Sequence, residues 1–349
     1  MGSSSTFLKV CLSMFLFALT ANAHSRPGIF NVVDFGAVAD GKIDNAKGTF
    51  LAGPVSFKGP CKAPIVFQIA GKVIAPEEIQ SENWITFDYI TGLTVSGGGT
   101  FDGRGALTWF KTECYKGGSC NNPINIKFNF VTDAAIRGIT SLDRKFFKIL
   151  VYGCKNMKFI AVKIIAPDWS HNTDGIHIGK SSGISISRAF IGHSISIGSL
   201  GRYDDEEPLS GIYVRNCTLT GTDNGVRIKT WAISTTGRSP PGLASNFKFE
   251  DILMNNGVKS YSILFGDCFF LFLQSPSRVK ISNVSFKNIR GTSRSKLAVK
   301  LLCSRGFPCH QVELGDINLQ YAGSDGPVTS MCWNVGAIFS GKVFPPTCV

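Results

Sequence analysis

The sequence has no apolar run long enough to cross a bilayer, which takes about 20 residues. The run Val10–Leu19 is far shorter, and Tyr261–Leu273 is interrupted by Gly266 and Asp267. No membrane association is therefore expected. None of the close cysteine pairs has C-x-x-C spacing and no histidine cluster accompanies them, so no metal site is expected. No recognition helix or zinc finger is visible, which argues against nucleic acid as a partner. Acidic side chains are scarce: 24 Asp+Glu face 36 Lys+Arg, giving a formal charge of +12 and a pI near 9.2. Such a surface favours an acidic partner. No Pro/Ser-rich linker divides the chain.

What is present begins with a compartment signal. Lys9 precedes the apolar run, and Ala21-Asn22-Ala23 supplies small residues at a cleavage site, so residues 1–23 read as a secretory signal peptide. Residues 24–349 form one domain. Of the 11 cysteines, loss of Cys11 leaves an even ten, in a compartment that permits disulfides. Cys114 with Cys120, Cys303 with Cys309 and Cys332 with Cys348 are pairings that proximity suggests, and spacing alone does not decide among connectivities. The sequons Asn216-Cys217-Thr218 and Asn283-Val284-Ser285 suit a secreted, glycosylated chain.

The architecture is written in a recurrence: two alternate apolar positions, a three-residue step, then one more alternate position. It occurs at Met157/Phe159/Val162/Ile164, Ile184/Ile186/Ala189/Ile191, Ile212/Val214/Cys217/Leu219, Phe247/Phe249/Ile252/Met254, Val279/Ile281/Val284/Phe286 and Val312/Leu314/Ile317/Leu319. Alternation means strand, and the step marks a bend that lets two short strands face one interior. First members lie 27, 28, 35, 32 and 33 residues apart, a period that calls for a repeat architecture. The i, i+3, i+4, i+7 stripe of helical solenoids is missing. A third strand per coil is supplied by Gly175–Gly179, Ser194–Gly198 and Gly225–Lys229. The chain is therefore expected to be all-β, a right-handed parallel β-helix. A β-sandwich is the runner-up, but its hairpins call for more paired turn signals.

Coils stack about 4.8 Å apart, so equivalent positions in different repeats form ladders. Asp174 precedes one third strand, His193 the next, and Arg227 and Lys229 alternate along the one after. A carboxylate, an imidazole and two cations on one face suit hydrolysis of a negatively charged sugar polymer. The bland alternatives are a turn cap for Asp174, a solvated strand end for His193 and a solvated strand face for the cations. His177 is expected to be a structural neighbour, and the run Asp204–Glu207 solvated surface.

The motifs Asn172-Thr173-Asp174-Gly175, Gly192-His193 leading into ISIGSLG, and Arg227-Ile228-Lys229 resemble those of polygalacturonases, glycoside hydrolase family 28. Val33–Ala37 with Asp40-Gly41, Gly97–Gly103 and Gly221–Gly225 stand in the family's order, and the likeness is strongest to plant exopolygalacturonases. The resemblance implies a pectin-lyase-like solenoid and an inverting hydrolase of α-1,4-linked galacturonic acid, secreted to the cell wall, monomeric and without cofactor. It assigns catalysis to Asp174, with His193 in support, and substrate binding to Arg227, Lys229 and Asn172, with Asp168 and His171 at the cleft edge.

The departures are as specific as the matches. The family's Gly-Asp-Asp-Cys motif, whose aspartates serve as general acid and water holder, is missing, and Gly192-His193-Ser194 stands where one coil has been removed and the ends joined. After Asp44 an early helix-containing cap segment is omitted, and Gly257–Leu273 replaces a stretch bearing a substrate-contacting tyrosine, for which Tyr261 is a poor substitute. Two readings follow: a pectin hydrolase with impaired catalysis, or a non-catalytic pectin-binding wall protein. A pectate lyase would need a cluster of calcium-binding carboxylates that the sequence does not show.

Overall fold

The computed structural model describes residues 48–105, 123–143, 147–165, 174–221, 224–231, 236–238, 240–255, 263–265 and 277–347. The expected signal peptide, the Val33–Ala37 motif and the Cys114/Cys120 pair lie outside them. Among the described residues the chain forms 26 strands and no helix, and so none that is long and apolar enough to cross a membrane.

Every pairing is parallel, in one sheet of sixteen strands and another of ten. Successive coils add one rung to each, which is the parallel β-helix expected from the repeat, with right-handed crossovers. The repeated apolar positions make the interior ladders. Met157, Ile184, Ile212, Phe247, Val284 and Val312 stand in register, and all six are fully buried. Two positions on, Phe159, Ile186, Val214, Phe249, Phe286 and Leu314 form a second column, with Phe249 and Phe286 stacked at 4.8 Å.

The register corrects one repeat. Val284, not Val279, stands opposite Phe247, while Val279 and Ile281 pair with Gly242 and Ala244. The fifth frame is thus Val284/Phe286/Ile289, and the misreading arose because the coil contains two bends, one at Asn283 and one at Asn288.

The three-residue step has a single backbone cause. In successive coils its last residue before the interior resumes is Ala161, Arg188, Asn216, Asp251, Asn288 or Asp316, each with φ between 50° and 54°. One left-handed residue turns the strand and consumes the extra position. Asn and Asp tolerate that conformation better than most side chains, which is why they dominate. In the early coils the corner separates two strands, Lys155–Ile160 and Lys163–Ile165; from Leu209–Thr220 onward one continuous strand runs through it.

Cysteine usage departs from full pairing. Cys303 and Cys309 are bonded, and Cys332 is also in a disulfide, whereas Cys61, Cys154 and Cys217 are free. Cys154 and Cys217 belong to the buried core, where they serve as small apolar side chains.

The described ends of the solenoid expose apolar side chains, Leu51 and Val55 at the first coil and Trp333, Ile338 and Phe339 at the last. Among the described residues the strand Val335–Phe344 pairs on one side only, and it carries two register shifts against Cys309–Tyr321.

Two outcomes test this core. Phe249→Ala, which empties the stacked column, should cost about 3–5 kcal/mol in denaturant unfolding, whereas Leu253→Ala on the outer face should stay within about 0.5–1 kcal/mol. Burial pushes the Cys154 and Cys217 thiols up to about 11, so a thiolate-seeking reagent at neutral pH should leave both unmodified until the protein unfolds.

Candidate functional site

The ten-stranded sheet builds the site. Its strands Asp174–Gly179, Ser194–Leu200 and Val226–Thr230 are neighbours, with Ile176, Ile195 and Val226 in register inside the solenoid. Alternation sends the intervening residues outward, so that His177, Ser196 and Arg227 form a row across three coils. The ladder runs across the Gly192-His193-Ser194 corner: Asp174 pairs directly with Ser194.

A groove of about 380 Å³ lies on this face. Asp174, His177, Arg227 and Lys229 line it together with Phe147, and the segment carrying Arg202, Tyr203, Glu206 and Glu207 walls it on the far side. Asp174 is held at both oxygens. Ser194 Oγ donates to Oδ1 at 2.8 Å, and His177 Nδ1 lies 2.8 Å from Oδ2. The His177 ring is stacked on Phe147 at 4.8 Å, which fixes its plane. Asp174 is therefore an oriented acceptor in a groove that Arg227 and Lys229 also line.

The glycine of the Asn-Thr-Asp-Gly motif has a steric reason. A Cβ on Gly175 would stand 2.6 Å from Ile191 Cγ2 and 3.1 Å from the Ser194 carbonyl oxygen. Gly198 has φ +116°, and a Cβ there would meet the Lys229 carbonyl oxygen at 2.3 Å. Both glycines let neighbouring coils close beneath the groove.

His193 does not line the groove. It is 6% exposed, its φ is 93°, and its N–H donates to Thr220 O at 2.9 Å. It occupies the corner between two strands, and the residue after it, Ser194, reaches Asp174 instead. The same corner is fastened by a fully buried lysine, Lys148, whose Nζ donates to Gly192 O at 2.9 Å. Asn172, Asp168, His171 and Tyr261 lie outside the described residues.

Three features escaped the sequence reading. His177 is the direct partner of Asp174, although its place on an alternating strand already put it on the Arg227 face. Lys148 carried no signal, since nothing marks a lysine beside Phe146-Phe147 as buried. The run Asp204–Glu207 is not uniformly solvated surface. Asp204 is bound to Thr236 at 2.6 Å and Asp205 to Lys180 at 3.4 Å. Glu206 accepts three backbone N–H groups, and Glu207 is an exposed carboxylate lining the groove. Burial raises the Glu206 carboxyl above its ordinary range, against the opposing pull of those N–H groups and of Lys180. Among the described residues no group of side chains is arranged to hold a metal ion.

A profile of the family described as glycosyl hydrolases family 28 matches residues 37–192 and 189–341. The two matched pieces overlap over residues 189–192, beside His193. An exopolygalacturonase of Platanus acerifolia is 42% identical, covering 92% of this chain and 98% of its own length, and a polygalacturonase of Nicotiana tabacum is 38% identical, covering 97% of each. The Platanus alignment runs to 377 residues, longer than this chain of 349, so the relative carries residues that this chain lacks. The fold is also that of an exopolygalacturonase from Thermotoga maritima, with a TM-score of 0.62 at 14% identity over 90% of this chain and 92% of that one.

The packing around Asp174 predicts that Gly175→Ala, which overfills the contact with Ile191, lowers unfolding stability by about 1–3 kcal/mol. Urea unfolding of the variant checks it, and an unchanged midpoint would mean that the coils close differently.

Proposed function

The chain belongs to glycosyl hydrolases family 28, and from that premise we propose that it is a secreted protein that binds polygalacturonate in its groove and hydrolyses it poorly. The observation that carries this reading is the grouping of the oriented Asp174 carboxylate with Arg227 and Lys229 in one groove. Family relatives bear the names exopolygalacturonase and polygalacturonase, and a polymer of galacturonate presents one carboxylate per unit to such cations.

Inverting hydrolysis requires two carboxyl groups about 6.5–9.5 Å apart, one to activate water and one to protonate the leaving oxygen. Asp174 is suited to the first task, because both its oxygens are held as acceptors and its orientation is fixed. The family's Gly-Asp-Asp motif, one aspartate of which would perform the second and the other help hold the water, is missing from the sequence. Arg227 and Lys229 stabilise the bound polymer but cannot protonate a leaving group, and an interaction equal in ground and transition states does not raise turnover. General acid catalysis contributes about 10²–10⁴-fold, which is the deficit expected here. His193, buried in the corner, is proposed to support the junction and not to touch substrate.

The non-catalytic wall protein is the limit of this reading, in which binding is retained and turnover is nil. Sugar release and polygalacturonate binding measured side by side, for the native chain and for Asp174→Asn, test the proposal. Binding should be measurable and weaken with salt, with release near background in both proteins. Hydrolysis at a rate typical of the named relatives, lost in Asp174→Asn, would show that another carboxyl group substitutes, and Glu207→Gln would then be the next variant.

A further inference from the structure

The far wall of the groove has its own architecture. Glu206 folds back on the segment before it: Oε2 accepts the N–H of Gly201 at 2.6 Å, and Oε1 accepts those of Arg202 at 3.2 Å and Tyr203 at 3.1 Å. Three successive N–H groups converge on one carboxylate, a strong charge-assisted arrangement. Asp204 adds a tie to Thr236, and Asp205 one to Lys180. An exposed loop is thereby fixed at three points.

The clamp sets the position of Arg202. Its guanidinium carbon lies 5.5 Å from the centroid of the Tyr203 ring and 5.4 Å from that of Trp231, within reach of cation–π attraction. The opposite side of the system is Lys229, whose Nζ lies 5.3 Å from the same Trp231 ring. Trp231 thus gathers one cation from the loop and one from the strand that carries Arg227. Arg202, Tyr203, Trp231, Arg227 and Lys229 all line the one groove. Among the described residues no carboxylate pairs with the Arg202 guanidinium, so the ring contacts position it while its N–H edge is not spent on an ion pair.

We propose that Arg202, positioned by Tyr203, Trp231 and the Glu206 clamp, is a second carboxylate-binding subsite, taking a uronate unit next to the one held by Arg227 and Lys229. The inference rests on the reading of the groove as a polygalacturonate site. A planar guanidinium offers two parallel N–H groups to a carboxylate and not to a methyl ester, which lacks the charge and one acceptor geometry. The wall therefore selects the unesterified polymer over the esterified one.

Calorimetric titration with an oligogalacturonate and with its methyl-esterified counterpart tests this. Arg202→Gln should weaken oligogalacturonate binding about tenfold, the effect of one charge-assisted hydrogen-bonded pair, and leave the ester's affinity unchanged. Glu206→Gln, which removes the charge and one acceptor from the clamp, should reduce the same ratio. Equal weakening toward both ligands, or none, in Arg202→Gln overturns the subsite. Loss of binding in Arg227→Gln while Arg202→Gln binds as the native chain does leaves the groove reading intact and removes only this inference. A native chain that binds neither ligand overturns both.

Discussion

Everything in this molecule depends on coils keeping register over a corner that only a left-handed residue can turn. Each strand presents apolar side chains to one interior, and a slip of one residue would send them all outward. The corner residue absorbs the one position by which the pattern would otherwise lose phase, as at Asn216, Asp251, Asn288 and Asp316. Stacking then multiplies the effect, because each interior residue touches its equivalents above and below. A single backbone conformation, repeated, fixes both the cross-section of the solenoid and the alignment of its faces.

That alignment also makes the groove. Residues far apart in sequence share a face only because the rungs match, so Asp174 and Arg227 owe their proximity to Ile176, Ile195 and Val226 beneath them. It also explains how the chain closes at the Gly192-His193 corner. Nearest-neighbour interfaces carry solenoid stability, and the rungs on either side of the junction are alike enough to pair, with the buried Lys148 side chain tying Gly192 in place.

The coil architecture was legible because alternation and the three-residue step are local patterns read directly from side-chain polarity. The fifth frame was misplaced because two left-handed asparagines, Asn283 and Asn288, lie close together and either satisfies the step; only pairing with Phe247 distinguishes them. At the site, strand parity placed Arg227 and Lys229 on one face, and the same parity put His177 there too, although nothing local marks it as the partner of Asp174. The burial of Lys148 and the clamp by Glu206 depend on how a chain end or loop folds back in space. No window of sequence contains that information. His193 shows the converse: its position beside a strand start suggested the groove, but a backbone φ of 93° turns it into the corner.

A stack of identical rungs has no inherent length, and what ends it must be irregular. The last strand, Val335–Phe344, slips register twice against its neighbour and is followed by Pro345 and Pro346. Bulges, lysines and prolines at a sheet edge spoil the template that a further strand would copy, and Lys342 stands on this edge. The apolar side chains left exposed there would otherwise favour end-to-end addition of another molecule. The defect in this rung therefore makes the edge a poor template for any strand laid against it.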